Sequence, residues 1–192
     1  MDNFPETVED FLDGQILLIN KPLGWTSFDV VKKIKNLIRT KYSLKKIKVG
    51  HAGTLDPLAT GLLIVCTGKF TKVISKIQGQ EKTYTGTITL GGTTPSYDLE
   101  TEIDNDYETA HITEELIKES TTQFIGEIDQ KPPIFSALKK GGERLYEKAR
   151  RGETIEIESR KVTVREFTIT SIENLEVNFE IKCSKGTYIR SI

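Results

Sequence analysis

Apolar positions along the chain follow two rhythms. Ile16–Ile19 is a short apolar run ending at Asn20-Lys21-Pro22-Leu23-Gly24, which predicts a strand entering a turn. Beyond it, Val30, Val31, Ile34, Leu37 and Ile38 recur at helical spacing while Lys32, Lys33, Lys35 and Arg39 point elsewhere, so a helix is expected over Ser27–Arg39, capped by Thr26 or Ser27. Val49–Gly61 is glycine-rich and leads into Leu62–Cys66, which reads as a buried strand, and residues 69–77 suit a short helix. Thr83–Leu90 changes to period two. Tyr84, Gly86, Ile88 and Leu90 share one face and four threonines the other, the pattern of a strand with one buried face.

The remainder reads as an acidic loop (residues 92–109), a helix Thr113–Thr122 capped by Thr113, and a strand over Gln123–Asp129. Lys131–Gly142, with Pro132-Pro133 and Gly141-Gly142, predicts a loop or arm, followed by a helix Glu143–Arg151 with a basic end. Lys161–Ile172 and Leu175–Cys183 form a hairpin about Glu173-Asn174. In its second strand Leu175, Val177, Phe179, Ile181 and Cys183 face one way. The chain shows no internal repeat.

At 192 residues the chain has room for one domain with a lobe or arm. Its longest apolar run, Leu62–Cys66, falls far short of the roughly 20 residues of a membrane span. The acidic start (Asp2, Glu6, Glu9, Asp10, Asp13) lacks the features of a signal peptide, and two cysteines make no disulfide scaffold, so the expected compartment is a reducing cytoplasm. The net charge of −1 hides a strong asymmetry. Residues 21–50 hold nine basic residues against Asp29, residues 98–129 hold eleven acids against Lys118, and residues 131–152 hold seven bases against two acids. A basic face of this kind suits nucleic acid, though lysine-rich helices are also simply solvated.

The segment richest in candidate chemistry is Gly50-His51-Ala52-Gly53-Thr54-Leu55-Asp56-Pro57-Leu58-Ala59-Thr60-Gly61. Its glycines permit tight turns and close backbone approach. Pro57 biases Asp56 away from helical geometry, so its carboxylate either points into a cleft from a loop or closes an Asx-type turn. The glycine spacing fits neither the triphosphate loop nor the dinucleotide fingerprint. His51 and His111 are the only histidines and lie far apart in sequence, which argues against a metal site.

This segment closely resembles the catalytic motif of the TruB family, the bacterial tRNA pseudouridine synthases. Four further stretches agree in order: Asn20–Ser27; Lys82-Thr83-Tyr84 followed by Leu90-Gly91 and Asp98; Lys131-Pro132-Pro133 with Ser136–Lys139, Tyr146, Ala149 and Arg150; and Cys183–Ser191. The resemblance covers about residues 14–192. It implies an α+β fold, a curved, mainly antiparallel mixed sheet flanked by helices, with an RNA-gripping basic arm at about residues 131–152. It also implies isomerisation of uridine 55 in the tRNA T-loop by a monomer, with no metal, organic cofactor or membrane. By motif match Asp56 is the essential carboxylate, Tyr84 packs on the target base and Arg190 pairs with the aspartate. His51 and Tyr188 contact substrate, and Lys21 is either structural or touches a phosphate. Where the family commonly has Thr-Asp-Thr, this chain reads Thr94-Pro95-Ser96. Because the sequence stops just after the closing motif, residues 1–192 are expected to form the catalytic domain without its C-terminal part and without a separate C-terminal RNA-binding domain. The alternative from another class is a non-catalytic RNA-binding or RNA-folding module that uses the same cleft.

The residue types suit the implied chemistry. Remaking a glycosidic bond without a cofactor needs a nucleophile or base beside the sugar, and a carboxylate can be either. A guanidinium nearby keeps that carboxylate ionised. An aromatic face holds a detached base without demanding one orientation. The Tyr84 hydroxyl is also a candidate relay for the C5 proton. The ordinary readings are a buried strand tyrosine at Tyr84 or Tyr188, a surface Arg190 and a turn-capping His51. Extruding a stacked base costs a few kcal/mol, which the basic helix, Lys45, Lys46 and Lys48, and the arm are placed to offset. Its prolines and glycines suggest an arm that is loose without RNA.

Overall fold

A computed structural model describes residues 5–153 and 155–192. The chain divides into two compact units, Met1–Gln80 and Glu81–Ile192.

The first unit runs α1 (Val8–Asp13), β1 (Ile16–Lys21), α2 (Ser27–Lys41), β2 (Val49–His51), β3 (Gly61–Thr67), a 3-10 turn (Gly68–Val73) and α3 (Ile74–Gln78). Its three strands are antiparallel in the order β1-β3-β2, with Ile16 opposite Cys66 and Lys21 opposite Gly61. Helix α2 starts where its chemistry dictates. The Thr26 hydroxyl accepts from the Asp29 N–H at 3.1 Å, and the Asp29 carboxylate accepts in return from the Thr26 N–H at 3.0 Å. The apolar stripe of α2 then buries Val30 against Leu63 and Val65 of the sheet. Ile38 joins Phe11 and Ile47 in a neighbouring cluster. Buried aliphatic side chains of this size are worth roughly 1.5–3 kcal/mol each, so the sheet and α2 fold as one layer pair. The sequence pattern carries no sign of β2, a three-residue strand begun inside the glycine-rich segment.

The second unit runs β4 (Lys82–Thr89), β5 (Gly92–Thr93), β6 (Asn105–Asp106), α4 (Glu114–Thr121), a 3-10 turn (Thr122–Phe124), β7 (Gly126–Gln130), β8 (Lys139–Lys140), β9 (Glu143–Arg144), α5 (Leu145–Arg150), β10 (Arg160–Glu173), β11 (Glu176–Cys183) and a final 3-10 turn (Ile189–Ser191). Strands β4-β11-β10-β7 make an antiparallel sheet. The hairpin β10–β11 turns at Asn174, whose φ of 57° is the left-handed conformation asparagine tolerates. Val177, Phe179, Ile181 and Cys183 are buried, as their alternation predicts. Phe167 packs edge-on against Phe179 (centroids 5.6 Å apart), with Phe124 on its other side. Gly86 lies over this core because a Cβ there would sit 2.7 Å from the Phe179 ring.

The alternation fades toward the hairpin end. Leu175 lies outside β11 and is exposed, and Ile88, on the edge strand β4, is also exposed rather than buried. The acidic segment is mostly loop with a two-residue ladder, β5–β6. The arm carries the β8–β9 hairpin, turning through Gly141 and Gly142 at positive φ, and the short helix α5, anchored by buried Leu145. The fold class is therefore the expected one, helices with antiparallel sheets. No helix among the described residues is long and apolar enough to cross a membrane.

Candidate active site

Asp56 lies outside regular structure in the first unit, on a half-buried loop whose neighbours are pinned on both sides. Before it, the Ser27 hydroxyl at the start of α2 accepts from the Leu55 N–H at 2.9 Å and contacts the Leu55 carbonyl at 3.2 Å. After it, the Pro57 carbonyl accepts from the Gly24 N–H at 2.8 Å and from the Lys21 ammonium at 3.3 Å. The Asp56 carbonyl itself closes a turn with the Ala59 N–H at 3.1 Å. Asn20 adds a further tie by accepting from the Gly61 N–H. The loop is thus sewn to the Asn20–Ser27 turn, and two of the matched motifs become one three-dimensional object.

Lys21 is the least expected member of this arrangement. Its side chain is fully buried, and its ammonium also donates to the carbonyls of Pro22 (3.0 Å) and Trp25 (2.5 Å), so three backbone acceptors surround three donors. Burial lowers its pKa from the ordinary lysine value, and the nearby Asp56 carboxylate opposes that shift. An ammonium so enclosed is placed to brace the loop. It is not presented to a phosphate, so of the two roles open to Lys21 the geometry fits the structural one.

His51 is the last residue of β2. Its Nδ1 contacts the Gly53 carbonyl, and since a carbonyl only accepts, Nδ1 carries a hydrogen.

The second unit holds Tyr84, Tyr188 and Arg190. Tyr84 stands opposite Ile181 and packs against the cluster of Val164, Phe167, Phe179, Ile181 and Cys183, as do Ile189 and Ile192 on the closing segment. The tyrosine strand and the closing segment therefore share one core. The Arg190 guanidinium is largely buried. It pairs with Asp98 at 3.0 Å and donates to the carbonyls of Ser96 (2.9 Å) and Phe135 (3.0 Å). Ser96, fully buried, is the third residue of the Thr94-Pro95-Ser96 departure from the family pattern. Its hydroxyl contacts the Asp98 carbonyl and the Thr101 hydroxyl, while Thr94 also donates to the Asp98 carbonyl. Thr94-Pro95-Ser96 thus shapes the loop that holds Arg190.

Tyr188 lies under the Arg160 guanidinium, 4.7 Å from ring centroid to Cζ, and its backbone is gripped by Gln130. Asp98, Ser27 and Gln130 hold Arg190, Leu55 and Tyr188 through hydrogen bonds that reading the sequence did not assign. Asp98 was legible only as part of a matched motif. Ser27 was legible as a helix-cap candidate and as the end of a matched motif, whereas Gln130 gave no signal, because hydropathy patterns do not mark a polar side chain destined for burial. The free cysteines Cys66 and Cys183 are buried, which pushes both thiols above their ordinary pKa and leaves them unreactive in character.

Comparison with known proteins gives the family and the fold. The family described as "TruB family pseudouridylate synthase (N terminal domain)" matches residues 39–189. A protein of Flavobacterium johnsoniae named tRNA pseudouridine synthase B is 66% identical over 187 residues, covering 97% of this chain and 82% of the relative. A Parabacteroides distasonis protein of the same name is 52% identical over 183 residues, covering 95% of this chain and 78% of the relative. Among solved structures, a Cbf5-Nop10-Gar1 complex superposes with a TM-score of 0.68 at 29% identity, over 97% of this chain and 44% of that one. An H/ACA RNP bound to a substrate RNA containing 2′-deoxyuridine superposes with a TM-score of 0.64 at 26% identity, over 97% of this chain and 43% of that one.

Proposed function

The chain belongs to the TruB family of pseudouridylate synthases, and on that premise we propose that it isomerises uridine 55 in the T-loop of tRNA, with Asp56 as the essential carboxylate. In the reaction the C1′–N1 bond breaks, the uracil turns, a C1′–C5 bond forms, C5 loses its proton and N1 gains one. No atom is lost, so the enzyme needs a group at the sugar, a surface for the free base and a proton path, and no redox partner. Asp56 serves at the sugar as nucleophile or base. Tyr84 supplies the aromatic surface on which the detached base turns. Arg190 stabilises the carboxylate, while His51 and Tyr188 meet the nucleotides around the target. Lys21 acts on the loop rather than on the RNA. The arm and the basic residues of α2 contribute the RNA contacts that offset base extrusion, and the enzyme works as a cytoplasmic monomer.

The observation that carries this reading is the fixing of Leu55 and Pro57, on either side of Asp56, by buried polar groups. A catalytic carboxylate must be held in one place before the substrate arrives, and a solvated surface turn has no need of such support.

The test is pseudouridine formation in a T-loop transcript. Asp56→Asn should lower the single-turnover rate by at least about 10³-fold, comparable to loss of a covalent or general-base group, while RNA affinity stays within a few-fold. Equal product from both proteins overturns the role of Asp56. RNA binding by both proteins with no product from either favours the RNA-folding alternative.

A further inference from the structure

We propose that Gln130 is a positioning residue for this reaction: its side-chain amide holds the backbone of Tyr188 and so aims the Tyr188 ring and the Arg190 guanidinium. The inference rests on the functional reading above, because it needs those two side chains to serve the reaction.

Gln130 ends β7 and is only 3% exposed, an unusual setting for a glutamine. Its Nε2 donates to the Tyr188 carbonyl at 2.9 Å, and its Oε1 accepts from the Tyr188 N–H at 2.8 Å. One side chain thereby makes both bonds that a neighbouring strand would make. It does so where β11 has ended and the chain has left the ladder. The amide is matched to the task because it pairs one donor with one acceptor at fixed spacing. A carboxylate of the same length accepts only, and an aliphatic chain does neither.

Gln130 does not act alone on this segment. Arg160 stands opposite it across the β10–β7 ladder, stacks on the Tyr188 ring and donates to the Gly186 carbonyl. The two residues therefore cradle Gly186-Thr187-Tyr188 from one ladder position, and Arg190 follows two residues later. Upstream, Ser184 closes the same segment onto Thr163 through its N–H (2.8 Å) and its hydroxyl (2.9 Å). Without Gln130, the Tyr188 N–H loses its acceptor among the described hydrogen bonds, and the Tyr188 carbonyl is left with the local Ser191 N–H at 3.1 Å, which ties it to nothing outside its own turn. The segment could then relax by the ångström or so that catalytic alignment does not tolerate.

The experiment compares wild type, Gln130→Leu, Gln130→Glu and Asp56→Asn in single-turnover pseudouridylation of a T-loop stem-loop at saturating protein. Rates are expressed per folded molecule from thermal melts, and RNA affinity is measured by filter binding. Gln130→Leu should lower the rate about 10–100-fold with RNA affinity within about threefold, and in a Tyr188→Ala background it should cost at most about threefold more. Gln130→Glu keeps length and acceptor but not the donor, and should also lose at least about tenfold. If the leucine variant does not fold, the glutamate variant decides alone. A wild-type rate per folded molecule, a loss that tracks RNA affinity, or full additivity with Tyr188→Ala overturns the proposal. Residual activity of Asp56→Asn equal to wild type would instead sink the functional reading on which it rests.

Discussion

The Asp56 loop and the arm at residues 131–152 are both irregular, glycine-bearing segments, yet they are held by opposite means. The loop is tied chiefly by buried residues: the ammonium of fully buried Lys21 and the hydroxyl of Ser27, 2% exposed, reach the residues flanking Asp56, and the Gly24 N–H adds a further bond. The arm is held at its base by buried Pro133 and Leu145 and by the Arg190 guanidinium on the Phe135 carbonyl, but its outer part is tied at the surface. Arg151 bridges Glu143 (2.5 Å) and Glu153 (2.7 Å), Lys148 lies within 4 Å of both carboxylates, and Tyr146 is stacked by Arg144 and Arg150. Buried polar contacts are costly to break, whereas exposed ion pairs exchange readily with water and salt. The difference suits a division of labour. Chemistry is built on backbone that cannot drift, and RNA gripping on backbone that can adjust to a folded partner.

Breaking the stiff side should have the largest effect. Lys21→Met removes the ammonium from three carbonyls and leaves the loop without that brace. The expected result is a fall in single-turnover rate of about 100-fold or more, together with a destabilisation of roughly 1–3 kcal/mol in urea melts. The pH response sharpens this. Burial depresses the Lys21 pKa, so between its folded value and 10.5 the unfolded chain binds the extra proton, and wild type gains stability as pH rises through that window. The methionine variant lacks this gain. Parallel stability-versus-pH curves for the two proteins would show that Lys21 is not the buried cation described. Ser27→Ala is the milder version, removing both hydrogen bonds to Leu55 and costing about 10-fold in rate, with RNA affinity unchanged.

The contrast was only half visible in the sequence. Hydropathy rhythm located α2, β3, β4 and the β10–β11 hairpin, because in each the period of apolar residues matches the geometry that buries them. The site residues came from motif resemblance and not from periodicity. What neither showed was how the support is assembled, although a structural role for Lys21 was one of its two readings. Lys21 sits in a run that reads as a surface turn, and its burial depends on carbonyls contributed by Pro22, Trp25 and Pro57, which only the folded loop gathers. The Asp98–Arg190 pair joins positions 92 residues apart, and the Gln130–Tyr188 grip spans 58. Such pairings have no local pattern. The short strand β2 was missed because three residues beginning at Val49, with a glycine in the middle, show no alternation.

Charge on the arm tests the compliant side. Lys139→Ala with Lys140→Ala should weaken T-loop binding about 10-fold at low salt and flatten the slope of log affinity against log salt by roughly 0.7–0.9 for each phosphate no longer neutralised. The rate at saturating RNA should stay near wild type. A fall in that rate at full saturation would show that the arm enters the chemistry, and the division drawn above would fail.

The smallest effect concerns the arm's own ion pairs. Arg151→Ala removes the bridge between Glu143 and Glu153 but leaves Leu145 buried and the β8–β9 ladder intact. The global melting temperature should therefore move by less than about 2 °C. Local order should respond more, because the two carboxylates lose the guanidinium that depresses their pKa values below 4.5. In the wild type that stabilisation is present at neutral pH and disappears as pH falls below 4.5 through the folded values. Limited proteolysis at neutral pH reads this out. Cleavage within residues 131–153 should quicken in Arg151→Ala, and in wild type on going from about 0.1 M to 1 M salt, where the screening length shrinks from about 10 Å to 3 Å. Cleavage in the Asp56 loop should respond to neither, since its ties are hydrogen bonds, chiefly from buried Lys21 and Ser27, and not exposed ion pairs. If both segments open together with salt, the arm and the loop are held by the same kind of force, and the distinction between them dissolves.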